Sequence, residues 1–354
     1  MSNPSVKIVG VGLLGTSLGL ALAKHGIIAN LEDQSKANLR LAIEYGAGVE
    51  SEGEPDLVVV CVPPDLTALV VLAQLKKHPR AIVTDVASVK GAIAKEVEEH
   101  PELADRYVGS HPMAGREKGG PASARADLFF ARPWVITPRA GNSQVAIDLV
   151  EDLALRIGAL VSVMSVPEHD EAVALVSHLP QLVSTLLAGA LNSGTTSQLA
   201  LSGQGLRDTA RIAASDPDLW VQIFSQNAGA LKPLVSQLRG ELERIDDAIS
   251  NIDSAGSLAA IHSALADGNR GIAQIPGKHG GKYLEYQVVT VVIDDSPGAL
   301  AALLTFIGEI GVNLEDLNLE HSPGAAIGLV ELEVLPSNAQ KLIDSLIENG
   351  WRLV

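Results

Sequence analysis

Between residues 6 and 26 the chain runs from a β-branched stretch through three spaced glycines into an apolar segment of helical period. Val6-Lys7-Ile8-Val9 is a strand signal, and Gly10-Val11-Gly12-Leu13-Leu14-Gly15 follows at once. Residues 16–25 then place apolar side chains at helical spacing and close on Gly26. Strand, Gly-x-Gly-x-x-Gly and helix in this order form the dinucleotide-binding fingerprint. Gly10 is expected to make the tight turn, Gly12 to let a pyrophosphate approach the backbone, and Gly15 to let helix and strand pack closely. The helix start, Leu13-Leu14, then offers unpaired N–H groups to the phosphates. A second strand, residues 27–31, runs into Glu32-Asp33, 17 and 18 residues past Gly15. An acid there accepts both ribose hydroxyls of an adenosine and repels a 2′-phosphate, so NAD is expected over NADP. Asp33 is the expected acceptor, because the chain turns outward after it, and Glu32 is expected to be solvent-exposed. The expected cofactor set is therefore Gly10, Val11, Gly12, Leu13, Leu14, Gly15 and Asp33.

The strand and helix alternation continues. Residues 57–62, 81–86, 107–109, 134–137 and 160–164 read as short apolar strands. Such alternation predicts a Rossmann-type, doubly wound, mainly parallel sheet over residues 1–165. Ligands bind beyond the C-terminal strand ends, where Ser88 and His111 are expected. From residue 166 to 278 the strand signal disappears. Helices are expected over 168–191, with a disturbance at Pro180, and over 197–215, 217–252 and 256–267. Residues 267–282 hold five glycines and read as a linker. In residues 283–354 strands return in the order βαββαβ, the ferredoxin-like arrangement. There Asp295-Ser296-Pro297-Gly298 reads as a helix start with an acid or hydroxyl cap, and Gly311 as its stop.

Charge and cysteine content exclude several function classes. Acidic residues outnumber basic ones 42 to 26, a net charge of −16, so a nucleic-acid partner is not expected. The one cysteine, Cys61, excludes intrachain disulfides and a thiolate metal cluster and reads as a small buried hydrophobe. No run of 18 uncharged apolar residues occurs, so no membrane span is expected. Residues 7–23 imitate a signal peptide, but their glycines suit the dinucleotide turn better. The expected location is cytoplasmic. His169, Asp170 and His178 lack the i, i+4 spacing of a helical metal site, so no metal is expected.

Three further stretches can carry chemistry: Thr84-Asp85-Val86-Ala87-Ser88-Val89-Lys90-Gly91, Gly109-Ser110-His111-Pro112-Met113-Ala114-Gly115-Arg116-Glu117, and Asp208-Thr209-Ala210-Arg211-Ile212-Ala213 with Asp216-Pro217-Asp218-Leu219-Trp220 after it. Together with the glycine loop they resemble the prephenate/arogenate dehydrogenase family of tyrosine biosynthesis, over residues 6 to about 255. The tail resembles an ACT domain at Asp295–Leu300 and Gly311–Leu314. The resemblance implies NAD-dependent oxidative decarboxylation of prephenate to 4-hydroxyphenylpyruvate, or of arogenate to tyrosine, in a homodimer built on the helical segment. It implies that His111 contacts the ring hydroxyl as a neutral imidazole. Ser88 would bond His111 or the nicotinamide region, or serve as a helix cap. Arg211 would clamp a substrate carboxylate, or pair with Asp208 three residues back. Asp208 and Trp220 take supporting roles, and Glu117 is an entrance acid or a solvated loop acid.

Two departures from the family pattern stand out. Many members read Ser-His-Leu-Pro-His where this chain has Ser177-His178-Leu179-Pro180-Gln181. His178 is thus retained as a substrate contact. Gln181 keeps a hydrogen bond but cannot become cationic, which bears on substrate choice and tyrosine sensitivity. In the tail, the ACT resemblance implies an allosteric site for an aromatic amino acid at Pro297, Gly298 and Ala299 and at Gly311, Val312, Asn313 and Leu314, but Asn318-Leu319-Glu320-His321 replaces the Glu-Ser-Arg-Pro element of phenylalanine-binding ACT domains, which leaves another amino acid or a purely oligomerising role open. The β-hydroxyacid dehydrogenases are a rival class, but their Gly-x-x-x-Asn-x-x-Lys helix does not occur. A non-catalytic amino-acid sensor is the other alternative, and His111, Ser88 and Arg211 argue against it.

Overall fold

The computed structural model describes residues 3–115, 119–276, 286–321 and 326–354. By contact density the chain divides into two compact units, Met1–Arg239 and Gly240–Val354.

In the first unit, β1 (Val6–Val9), β2 (Asn30–Glu32), β3 (Leu57–Val60) and β4 (Ile82–Asp85) form a parallel sheet in the order β2-β1-β3-β4. The helices between and after them are α1 (Leu13–Lys24), α2 (Lys36–Glu44), α3 (Pro64–Lys77), α4 (Gly91–Glu98) and the short α5 (Pro101–Ala104). A second sheet follows with β5 (Gly109–Pro112), β6 (Pro133–Thr137) and β7 (Leu160–Val163), and α6 (Gln144–Arg156) precedes β7. A parallel bridge from Val83 to Tyr107 links the two sheets. The sheet is mainly parallel, as expected, but β5 runs antiparallel to β6. The stretch that imitates a signal peptide is β1 and α1, with Ile8, Leu18 and Leu22 fully buried. Each such side chain contributes on the order of 1.5–3 kcal/mol.

The helical region begins with α7 (Val166–Val173), whose start is closed by a capping box between Ser165 and Glu168. A single π turn, Ala174–His178, leads into α8 (Leu179–Ala190). The disturbance expected at Pro180 is this turn, which re-satisfies the backbone around a residue that cannot donate. The expected helix over 197–215 is broken into α9 (Thr196–Leu199), α10 (Gln204–Ala210) and a 3₁₀ turn, Arg211–Ala213. Gly203, which caps α10, interrupts the run. The expected single helix over 217–252 is two, α11 (Pro217–Gln226) and α12 (Ala228–Ser250), parted at Asn227. Val166–Ser193 is one helical stretch of 28 residues, long and apolar enough by length and composition to cross a membrane, contrary to the expectation that no segment qualifies. Its first half buries His169 and His178, and Leu175, Val176 and Leu186 remain exposed.

In the second unit α13 (Ser257–Ile272) continues past Asp267, so the expected linker is helical in its first residues despite Gly268 and Gly271. Residues 277–282 of that linker lie outside the described residues. Four strands, β8 (Gln287–Asp294), β9 (Asp316–His321), β10 (Ile327–Val334) and β11 (Arg352–Leu353), form an antiparallel sheet in the order β11-β8-β10-β9. Helices α14 (Ala299–Glu309) and α15 (Pro336–Glu348) pack Leu303, Ile307, Leu342 and Leu346 against Val291, Val330 and Leu332. The cap of α14 is not Asp295 or Ser296 but Gly298, at φ +91°. Gly311, at φ +68°, follows the other end of the helix.

Candidate active site

The glycine loop is built as its sequence implies. A Cβ on Gly10, which sits at φ +93°, would stand 2.6 Å from the Cys61 carbonyl oxygen, and one on Gly15 would overlap the Gly10 carbonyl at 1.9 Å. A Cβ on Gly12 would meet nothing within 4 Å. Two glycines are therefore required by the fold, and the third leaves open space at the N-terminus of α1, where the first-turn amides of Leu13 and Leu14 lack intrahelical acceptors. Asp33 stands beside this loop and accepts hydrogen bonds from the Val11 N–H at 2.7 Å and the Ser35 N–H at 2.7 Å. Glu32 is not a free surface acid, as the sequence suggested. It lies 2.6 Å from Lys7 Nζ and 2.9 Å from Lys77 Nζ, and accepts from Gln74 at 3.2 Å. Burial works to raise its carboxyl, but the hydrogen bonds from Lys7 and Lys77 outweigh it and hold it at about 2. These features fit a dinucleotide, with Asp33 as the acid next to its phosphate loop. Replacing Asp33 with Ala is expected to narrow any preference for NAD over NADP, read from steady-state kinetics with both cofactors. A wild-type chain that uses both equally would remove Asp33 from this role.

His111 is not in a loop past a strand end. It is the third residue of β5, which adjoins β4 and ends on the same side of the sheet as β1. It is buried, and its Nδ1 lies 2.9 Å from His169 Nε2. The two rings meet edge to face at 5.1 Å. His169 is fully buried, with Nδ1 2.8 Å from Asp170 Oδ1. Asp170 in turn accepts the backbone N–H groups of Lys90 at 2.9 Å and Gly91 at 2.8 Å. It thereby closes the start of α4, where Ser88 was one candidate cap. The cap residue is Lys90, whose side chain makes no capping bond. Ser88 is half-buried and, among the described residues, makes no hydrogen bond. Burial first, and then the neighbouring His169, Lys90 and His178, hold His111 well below the ordinary histidine range.

His178 occupies the end of the π turn. Asn227 donates from Nδ2 to His178 Nδ1 at 3.1 Å and to the Asp170 carbonyl at 2.8 Å. That donor fixes the hydrogen of a neutral His178 on Nε2, which is buried and has no partner among the described residues. Burial lowers His178 to about 4, with Asp170 opposing and His169 reinforcing the shift. Trp220 and Phe224 flank its ring at 6.0 and 6.4 Å. Beneath the site, Lys90 is fully buried with Asp85. It donates to Asp85 Oδ1 and to the Ser110 carbonyl at 2.7 Å, while Tyr107 donates to Asp85 Oδ2 at 2.7 Å.

The remaining expected residues are spread more widely. Gln181 is buried, donating to Thr185 Oγ1 at 3.3 Å and accepting from Ser215 Oγ at 3.5 Å. Arg211 lies in the 3₁₀ turn that packs on α8, exposed on the single chain. Asp208 is also exposed and accepts from Gln204 Nε2 at 2.8 Å. Glu117 lies outside the described residues. His169, Asp170 and Asn227 were not singled out from the sequence as parts of the site. The signals available were an acid next to a histidine on a capped helix and an asparagine breaking a helical run. Among the described residues no group of three or more His, Cys, Asp or Glu side chains is arranged to hold a metal ion. His169, Asp170 and His178 are engaged in hydrogen bonds instead.

The family model for the prephenate dehydrogenase nucleotide-binding domain matches residues 18–163, and that for the prephenate dehydrogenase dimerisation domain matches residues 165–262. The chain is 31% identical to a probable prephenate dehydrogenase, NovF, of Streptomyces niveus, over 97% of this chain and 98% of that one. The Aquifex aeolicus prephenate dehydrogenase, solved with hydroxyphenyl propionate and NAD+, is similar at a TM-score of 0.66 and 26% identity, covering 76% of this chain and 99% of the other. The arogenate dehydrogenase of Synechocystis is similar at a TM-score of 0.60 and 27% identity, covering 75% and 99%. With the dinucleotide loop, the buried histidine at the sheet end and both domain matches in place, this chain belongs to the prephenate dehydrogenase family.

Proposed function

We propose that the chain is an NAD-dependent prephenate dehydrogenase in which His111 accepts the proton of the ring hydroxyl. The observation that carries this reading is the state of His111. It is a buried neutral imidazole with Nδ1 committed to His169, and its Nε2 has no bond among the described residues. Prephenate carries a carboxylate on one ring carbon and a hydroxyl on the opposite one. The hydroxyl proton passes to His111 Nε2 as the carbonyl forms. The C–CO₂ electrons then aromatise the ring, and the proton returns to the phenol oxygen. Bound at Gly10–Gly15 and Asp33, NAD supplies the acceptor for the carbinol hydride. Around that reaction His178 offers its unpartnered buried Nε2–H to a substrate oxygen. Ser88 offers a hydroxyl with no other bond among the described residues, and Trp220 and Gln181 bound the side-chain end. Glu117 and Asp208 complete the expected set. NADH production measured with prephenate and arogenate, each with NAD and NADP, tests the assignment. The highest turnover is expected with prephenate and NAD. Turnover of arogenate alone would move the enzyme to the arogenate reaction, and turnover of neither would sink the proposal.

Arg211 is the proposed clamp for a substrate carboxylate, where a planar guanidinium forms two parallel bonds. Replacing it with Ala is expected to raise KM by an amount equivalent to about 2–5 kcal/mol, with lysine rescuing only in part. An unchanged KM in a folded variant would return Arg211 to a structural role.

The domain reading is residues 1–165 for the cofactor, 166–278 for dimerisation and 283–354 for regulation. A homodimer would cover the apolar side chains left exposed on the helices, among them Val176, Leu186 and Val221. The same cover accounts for the apolar stretch Val166–Ser193 without a membrane, and accords with a cytoplasmic enzyme. The βαββαβ tail, with strand order β11-β8-β10-β9, is read as a ferredoxin-like ACT domain. Its two allosteric loops, Pro297-Gly298-Ala299 and Gly311-Val312-Asn313-Leu314, lie at opposite ends of α14, about 16 Å apart at 1.5 Å per residue. One ligand can therefore join them only across two copies. Tyrosine or phenylalanine is expected to bind there and shift activity, with a coupling of roughly 1–3 kcal/mol. Calorimetry on the full chain, with and without a Gly298→Val change, checks this. Absence of binding by both amino acids would leave the tail an assembly module.

A further inference from the structure

We propose that His169 and Asp170 are positioning residues for His111, locking it in the Nδ1–H tautomer so that Nε2 is bare toward the substrate hydroxyl. The inference rests on His111 being the base and extends that reading to two residues outside the family motifs quoted above.

Donors and acceptors along the chain of bonds fix the tautomer. The Asp170 carboxylate accepts two backbone N–H groups from the start of α4. Burial works to raise its carboxyl, and the hydrogen bonds from His169, Lys90 and Gly91 outweigh this and hold it below the ordinary range. An ionised carboxylate only accepts, so His169 Nδ1, 2.8 Å away, carries the hydrogen. A neutral His169 then has a bare Nε2. His111 Nδ1, 2.9 Å from it, is the only possible donor of that bond. The hydrogen of a neutral His111 is thereby placed on Nδ1, and Nε2 is left as the base. Protonating His169 would reverse the polarity: its Nε2–H would donate to His111 Nδ1 and drive the hydrogen of His111 onto Nε2. A second-ring partner of this kind sets which nitrogen of a histidine is available.

The chain of bonds is anchored at both ends. Asp170 is fixed by α4, whose first residue is joined through Lys90 to Asp85 and the Ser110 carbonyl, one residue before His111. Its own carbonyl receives Asn227, which also holds His178. The charged and titratable groups around His111 are thus His169 and Asp170 from α7, Lys90 and Asp85 from below, and His178 from the π turn. The proton taken from substrate needs no further transfer, since it returns from His111 Nε2 to the phenol oxygen.

Nitrogen-15 NMR of the imidazole rings in the full-length protein with NAD, assigned with His111→Asn and His169→Gln variants, reads the tautomer directly. His111 is expected as Nδ1–H at pH 8. In His169→Leu the His111 tautomers are expected to mix, with kcat falling about 10–100-fold and KM within about threefold. His169→Gln should recover most of that kcat, because its amide can donate to Asp170 and accept from His111. The proposal is overturned if the unaltered protein shows His111 as Nε2–H, or if His169→Leu keeps kcat. It is also overturned if a folded His169→Gln does no better than His169→Leu. The NMR measurement needs no substrate, so it is separable from the base assignment, which fails instead if His111→Asn retains its kcat.

Discussion

Replacing His111 with asparagine is expected to lower kcat by roughly 10²–10⁴ while KM changes little. Asparagine keeps a hydrogen-bonding side chain in a buried slot but cannot take up the hydroxyl proton. The loss therefore falls on the transition state rather than on binding. The pH profile gives a second reading. A base works only when neutral, so activity falls as pH drops through the histidine's own transition. Burial and the cationic and histidine neighbours hold His111 well below the ordinary range, so the acid limb of kcat/KM should lie well under pH 6.5. A variant within a few-fold of wild type, or an acid limb near 6.5 that survives in His111→Asn, would contradict the role. Acid also acts on stability. His178 is held at about 4 when folded, against 6.5 when exposed. As pH falls from 6.5 through 4 the unfolded chain takes up a proton that the folded chain refuses, and stability is lost over that window.

The second large effect concerns the fold beneath the site. Lys90 and Asp85 are fully buried and bonded to each other, and Lys90 also holds the Ser110 carbonyl at 2.7 Å. Among the described residues, Lys90→Met would leave the buried Asp85 carboxylate with the Tyr107 hydroxyl and the Ala87 N–H alone. Removing one member of such a pair costs about 3–5 kcal/mol, whereas replacing both with apolar groups of similar volume is far closer to neutral. Denaturant unfolding should therefore show Lys90→Met strongly destabilised, with Lys90→Met/Asp85→Leu recovering most of the loss. If the double variant is no better than the single one, Lys90 acts through packing rather than charge. Either outcome bears on catalysis, because Ser110 precedes His111 on β5.

Much of this protein follows from its residues in order. The glycine loop has one physical solution: Gly10 and Gly15 admit no Cβ, and Gly12 faces open space. The alternation of short apolar runs with helical periods forces a layered, mainly parallel sheet, and β5 carries His111 to its ligand-binding end. These features are legible because they depend on local backbone geometry and on periodic burial. What the sequence left open depends on contacts between residues far apart in the chain. Glu32 reads as a surface acid until Lys7 and Lys77 are brought to either side of it. A helix cap is one reading of Ser88 until Asp170, 80 residues beyond Lys90, takes the free amides of α4. Asn227 reads as one more residue in a long helix, yet the chain breaks there and its side chain joins His178 to the Asp170 backbone. The sequence by itself determined the dinucleotide fold and the position of the proposed base. Only the tertiary structure decided which partners surround that base, because a buried hydrogen bond requires a specific donor and acceptor within about 3 Å, and no sequence spacing encodes that meeting.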